Sequence, residues 1–132
     1  MTFSHTCTLP NDATPQQVYD YVVAHLRKQW PNRAWENGFC QYRTSDGLMC
    51  AVGCLISDDI DTTEFIGSVS SLIRHFPELP SYIPNNCELL TRLQMVHDEE
   101  IVFSDKKRLE ADLNSIASLF GLDYTPPEPS ID

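Results

Sequence analysis

The side chains in this chain best suited to nucleophilic or metal chemistry are five cysteines and four histidines. The cysteines are Cys7, Cys40, Cys50, Cys54 and Cys87, and the histidines His5, His25, His75 and His97. Asp46-Gly47-Leu48-Met49-Cys50 puts a thiol just after a glycine turn. If a helix begins there, its N-terminus would favour the thiolate. His97 is followed by Asp98, so Cys50, His97 and Asp98 together offer a nucleophile, a general base and a carboxylate to orient the base. Two features oppose this set. Consecutive helical residues point about 100° apart, which makes it hard for Asp98 to hold the His97 ring. The apolar run around Cys50 also favours the neutral thiol. The plainer reading of His97 is a half-buried ring near the last turn of a helix, where it complements the helix dipole.

Zinc is the other chemistry these types suggest. Cys40, Cys50 and Cys54 cluster, and His97 or Cys87 would complete a tetrahedron. Structural zinc sites usually supply two close ligand pairs. Here the spacings are nine and three intervening residues, with no CxxC anywhere. The expectation is therefore no metal and no cofactor, the thiols serving as small core residues. No GxGxxG, P-loop or GxSxG occurs, which leaves nucleotide and serine-hydrolase chemistry without support.

Carboxylates form two clusters: Asp58, Asp59, Asp61 and Glu64, then Asp98, Glu99 and Glu100. The first lacks the length and central glycine of a calcium loop. Taken alone, each cluster reads as a solvated face. The whole-chain charge gives them more meaning, because 19 acidic residues against 9 basic ones leave a net charge of −10. Such a chain repels a phosphate backbone, which excludes plain nucleic-acid binding. It can instead occupy a basic groove by presenting the charge a nucleic acid would present. The leading expectation is a non-enzymatic interaction protein that contacts its partner through Asp58, Asp59, Asp61, Glu64, Asp98, Glu99 and Glu100. The alternative is a small cysteine hydrolase or transferase using Cys50 and His97.

These residues must be positioned by a small fold. With 132 residues, 42% of them hydrophobic, the chain is expected to form one domain over 1–123, followed by a mobile Pro-rich tail over 124–132. Thr14-Pro15-Gln16-Gln17 reads as a capping box with proline at the first helical position. Val18, Val22 and Leu26, with Tyr19 and Val23, make the buried stripe of this helix, which Pro31 ends. Phe39 to Arg43 alternates like a strand, and Asp46-Gly47 is a turn that would pair it with Leu48 to Val52. The segment Leu48 to Ile56 is equally compatible with a short buried helix, and the order strand, turn, short helical segment is favoured. Trp30, Trp35 and Tyr42 are either core residues or an exposed aromatic anchor for a partner.

Asp61 with Glu64 would cap a second helix carrying Phe65, Ile66, Val69, Leu72, Ile73 and Phe76. Asn85 or Asn86 would start a third, with Leu89, Leu90, Leu93 and Val96 inward. Ser104 would cap a fourth, with Leu109, Leu113, Ile116, Ala117 and Phe120 buried and Gly121 as its left-handed terminator. The sum is an α+β fold, a mostly helical single domain of about four helices with a small antiparallel β element. No apolar run approaches the roughly 18–20 residues needed to span a bilayer, and no basic-then-apolar leader is present. Together with the odd cysteine count, this points to reduced thiols in a cytosol.

Two stretches carry a family resemblance. Asn37-Gly38-Phe39-Cys40-Gln41-Tyr42-Arg43 and Asp46-Gly47-Leu48-Met49-Cys50-Ala51-Val52-Gly53-Cys54-Leu55-Ile56 form an NGxCxYR…DGLxCAVGCLI pattern. It is followed by Leu93-Gln94-Met95-Val96-His97-Asp98. Together they resemble a family of small bacteriophage-associated proteins, over about Gln16 to Asp98. The resemblance implies a viral or prophage context and carries no mechanism. In that context the expected task is inhibition of a host defence or nucleic-acid-binding protein in the host cell cytosol.

Overall fold

In the computed structural model Thr14 caps the first helix, α1 (Pro15–Gln29), as the sequence predicts. Its hydroxyl accepts from the Gln17 N–H at 3.1 Å, and the Gln17 side chain accepts from the Thr14 N–H at 2.8 Å. These reciprocal bonds satisfy two donors that a helix start otherwise leaves open. The structure describes residues 5–36, 39–62, 65, 67–98 and 105–127. Three further helices follow among them: α2 (Val69–His75), α3 (Cys87–Asp98) and α4 (Lys106–Phe120).

Helix α3 is central, packing on α1, α2 and α4. Its Leu89, Leu90, Leu93 and Val96 are buried, as the helical period requires, and His97 is buried with them. From α1 come Val18, Val22 and Leu26, and from α4 Leu109, Leu113 and Ala117. Each buried valine or leucine among them contributes about 1.5–3 kcal/mol when removed from water. Two polar contacts tie α1 to α4. The Tyr19 hydroxyl donates to the Leu113 carbonyl at 2.8 Å, and burial pushes its pKa up to about 12. Arg27 grips Glu110 with two donors, at 3.0 and 2.7 Å.

Helix ends depart from the sequence reading in two places. Helix α2 begins at Val69, capped by Ser68, whose hydroxyl accepts from the Ser71 N–H at 3.2 Å. Asp61 therefore caps no helix there. Phe65 precedes α2 and packs its ring against Tyr42, His75 and Phe76. Helix α4 is capped by Asp105, accepting from the Lys107 N–H at 3.0 Å, while Ser104 lies outside the described residues. At its other end Gly121 has φ 67°, and the Leu122 N–H reaches back to the Ala117 carbonyl at 2.8 Å. That is the expected left-handed stop. Beyond it, Tyr124 donates to Glu110 at 2.6 Å and the Thr125 carbonyl accepts from Arg27 at 2.7 Å. The first residues of the Pro-rich segment are thus held against α1 and α4.

The expected α+β class is not what forms. The described residues pack as helices, and no sheet makes up a layer among them. Extended pairing among the described residues is confined to two-residue segments, Trp35–Glu36 against Phe39–Cys40, and one isolated bridge between Arg43 and Met49. The Asp46-Gly47 turn does form, with Gly47 at φ 89° and the Thr44 N–H bonded to the Leu48 carbonyl at 2.9 Å. Pairing continues through the Arg43–Met49 bridge to the Cys50 N–H, 3.4 Å from the Tyr42 carbonyl, and side chains of α1 take the Met49 backbone groups that face away from it. The Gln29 amide accepts the Met49 N–H at 3.0 Å and donates to its carbonyl at 2.8 Å, and His25 donates to the same carbonyl at 2.8 Å. Residues 50–56 then turn through a short 3-10 segment (Gly53–Leu55), completely buried. The outer edge of Met49, gripped in this way, needs no third strand, and the turn over 50–56 ends the pairing.

Candidate functional site

Cys50, the sequence candidate for a nucleophile, has no exposed surface, and its sulfur accepts the Gly53 N–H at 3.3 Å. Cys54 is buried beside it and donates to the Ala51 carbonyl at 3.1 Å; burial pushes its thiol pKa well up. Gly53 is required here by close approach. A Cβ at this position would lie 2.0 Å from the Tyr42 carbonyl oxygen. The two halves of the motif are therefore pressed backbone to backbone.

His97 is fully buried as well. Its Nε2 accepts the Ala34 N–H at 3.1 Å, which places the ring proton on Nδ1. Asp98 Oδ1 lies 3.3 Å from Nδ1. The carboxylate does reach its neighbour's ring, contrary to the sequence expectation. The ring's one lone pair, however, is engaged by a backbone amide, so it has no free site for taking a proton from a thiol. Gln94, one turn earlier, accepts the Val52 N–H at 3.3 Å and donates to Asp98 at 3.0 Å. Gln94, His97 and Asp98 thus act on the backbone of segments 34 and 52.

The metal alternative named Cys40, Cys50, Cys54 and His97. Cys50, Cys54 and His97 each have the separate partners just described, and the side chain of Cys40 lies outside the described residues. Among the described residues, no group of three or more His, Cys, Asp or Glu side chains is placed to hold a metal ion.

The carboxylates divide. Asp58 is paired with Arg43 and accepts the His5 N–H at 2.6 Å, so it closes the fold against the N-terminal segment. Arg43, whose burial lowers its pKa, also donates to the Ile56 carbonyl at 2.8 Å. Asp98 serves the His97 ring. Glu64, Glu99 and Glu100 lie outside the described residues. Asp59 and Asp61 are exposed.

Asp59 also borders a polar hollow of about 450 Å³ between residues 57–60, residues 78–82 and the N-terminal segment. The opposing carboxylate on its lining is Glu78, which sequence reading passed over because it sits alone between two prolines. Leu9, Ile60 and Leu79 supply apolar surface, and Asn11, Ser57 and Ser81 supply polar groups. Tyr82 fixes the inner wall, donating to the Leu55 carbonyl at 2.8 Å with its hydroxyl 3.3 Å from Cys7 Sγ. A hollow of this composition suits a cationic side chain, whose stem would lie on the apolar part while its head meets the carboxylates.

A scan of protein-family models, a search of curated proteins and a search of solved structures each find no match to this chain. No helix among the described residues is long and apolar enough to cross a membrane.

Proposed function

We propose that this protein works by binding: an acidic interaction protein that inhibits a basic host partner by offering carboxylates in place of a nucleic-acid backbone. The observation that carries this reading is the hollow lined by both Asp59 and Glu78, beside exposed Asp61, on a chain of net charge −10. An Arg or Lys side chain of the partner enters the hollow, and the surrounding field speeds encounter. The resemblance of the central motif to phage-associated proteins supports a bacterial host, a defence or nucleic-acid-binding component as the target, and the host cytosol as the place. Of the sequence list, Asp59 and Asp61 are kept and joined by Glu78, Asp58 and Asp98 have partners within the chain, and Glu64, Glu99 and Glu100 lie outside the described residues.

The cysteine-hydrolase alternative draws no support from the geometry. It needs an accessible thiol and an imidazole with an open lone pair, and Cys50 and His97 supply neither. The test is capture from bacterial lysate at low and high salt, with wild type beside an Asp59→Asn/Asp61→Asn/Glu78→Gln variant. The expected result is a stoichiometric basic protein held by wild type, released by salt and missed by the variant. Capture that ignores both salt and the substitutions would overturn the reading.

A further inference from the structure

The exposed large apolar side chains among the described residues are Trp35, Met95 and Leu119, at 45%, 53% and 62% exposure. Trp35 is covered on one face by Arg33, whose guanidinium carbon lies 4.0 Å from the ring centroid. Met95 and Leu119 have no such cover, and both stand on the surface formed by α3 and α4. Two hollows flank them. One, of about 670 Å³, is lined by Glu88, Thr91, Arg92, Met95, Leu119 and Phe120. A smaller one, of about 160 Å³, lies between Arg92, Met95 and Val96 on α3 and Asp112, Ser115 and Ile116 on α4.

We propose that this α3–α4 face is the contact between two copies of the chain. The argument rests on what the face offers to itself. It carries two protruding apolar side chains and two adjoining hollows, so a two-fold arrangement seats the knobs of each copy in the hollows of the other. The charges have the same self-complementarity. Glu88 and Arg92 stand four residues apart on one face of α3 and yet form no ion pair with each other, and among the described residues neither has another charged partner. With two copies of α3 antiparallel across the two-fold axis, Arg92 of each meets Glu88 of the other, giving two equal ion pairs.

Charge also selects the place. Against a net of −10 for the whole chain, the face sums to zero, because Glu88 balances Arg92 and Asp112 is paired with Arg108. Two strongly acidic molecules repel over most of their surfaces and least over this one. The proposal is independent of the acidic hollow, which uses residues 57–60 and 78–82.

Sedimentation equilibrium over a roughly hundredfold concentration range tests it directly. Wild type is expected to pass from 15.0 kDa toward twice that mass. Arg92→Glu and Leu119→Glu are each expected to weaken association about tenfold or more. The charge-swapped double variant Glu88→Arg/Arg92→Glu should regain it, since both ion pairs re-form with reversed sign. All three positions are solvent-facing, and circular dichroism with urea unfolding checks that each variant stays folded. Wild type remaining at 15.0 kDa throughout would overturn the proposal and leave the face to a different partner. Dimers equally stable in Arg92→Glu and Leu119→Glu would also overturn it, by placing the contact elsewhere.

Discussion

Replacing His97 separates a structural ring from a catalytic one. In His97→Ala the buried Ala34 N–H loses its acceptor, which costs about 1–3 kcal/mol. The missing ring leaves a cavity comparable to that of a buried Leu→Ala change, at about 2–5 kcal/mol. The two losses share one site and will not add fully, so the expected destabilisation is about 4 kcal/mol. That is a large part of the roughly 5–15 kcal/mol available to a domain. His97→Gln supplies the control. The amide oxygen of glutamine can occupy the place of Nε2 and accept from Ala34, so this variant should recover half or more of the loss. Equilibrium urea unfolding followed by tryptophan fluorescence measures both, with an unchanged m-value showing that the comparison is sound. A His97→Ala variant within about 1 kcal/mol of wild type would refute the reasoning, as would a glutamine variant no better than alanine.

Three other outcomes follow from the same packing. Gly53→Ala forces a Cβ against the Tyr42 carbonyl, and the strain should cost about 3 kcal/mol and lower Tm by roughly 10 °C in calorimetry; an unchanged Tm would contradict the close approach. Burial depresses the His25 pKa below its ordinary 6.5, so the unfolded chain takes up the proton first and stability falls as pH drops through about 6.5. His25→Gln should flatten this fall in urea titrations run across that range, and an identical slope would place its origin elsewhere. In native protein iodoacetamide should reach the half-buried Cys7 and Cys87, whereas Cys50 and Cys54 should react only after unfolding. Rapid native alkylation of Cys50, mapped by mass spectrometry, would return it to consideration as a nucleophile.

The parts of the fold legible in the sequence were those set by local chemistry. The Thr14 capping box, the α1 stripe, the inward face of α3 and the Gly121 stop each depend on residues within one or two turns of one another. The favoured order over 39–56, strand, turn and short helical segment, matches the Asp46-Gly47 turn and the 3-10 segment Gly53–Leu55; the expected β element failed, and for a long-range reason. Alternation and an Asp-Gly turn are the marks of a hairpin, and the turn formed. Past Cys50 the chain coiled into the buried Gly53–Leu55 turn, and Gln29 and His25, some twenty residues earlier, bonded the outward Met49 groups that a further strand would have used. Nothing local in Leu48 to Val52 announces that. The same cause explains why the cysteine and histidine cluster looked like chemistry. Its residues sit where two loop backbones touch, and that demands small thiols, a glycine and side chains that bond amides. Asp58 was indistinguishable in sequence from Asp59, and only the position of Arg43 gives Asp58 its ion pair. Glu78 could have been suspected only from its place in a stiff proline-bounded loop.

The central claim is that the acidic hollow, and not the motif thiols, carries the function. Once a partner is captured, the most direct measurement is the salt dependence of its affinity for three proteins: wild type, Asp59→Asn/Glu78→Gln and Cys50→Ala. The account predicts a steep loss of affinity with salt for wild type and Cys50→Ala alike, and a weaker, flatter response for the carboxylate variant. A carboxylate variant that binds as wild type does, or a Cys50→Ala protein that stays folded but loses its effect on the partner, would contradict it.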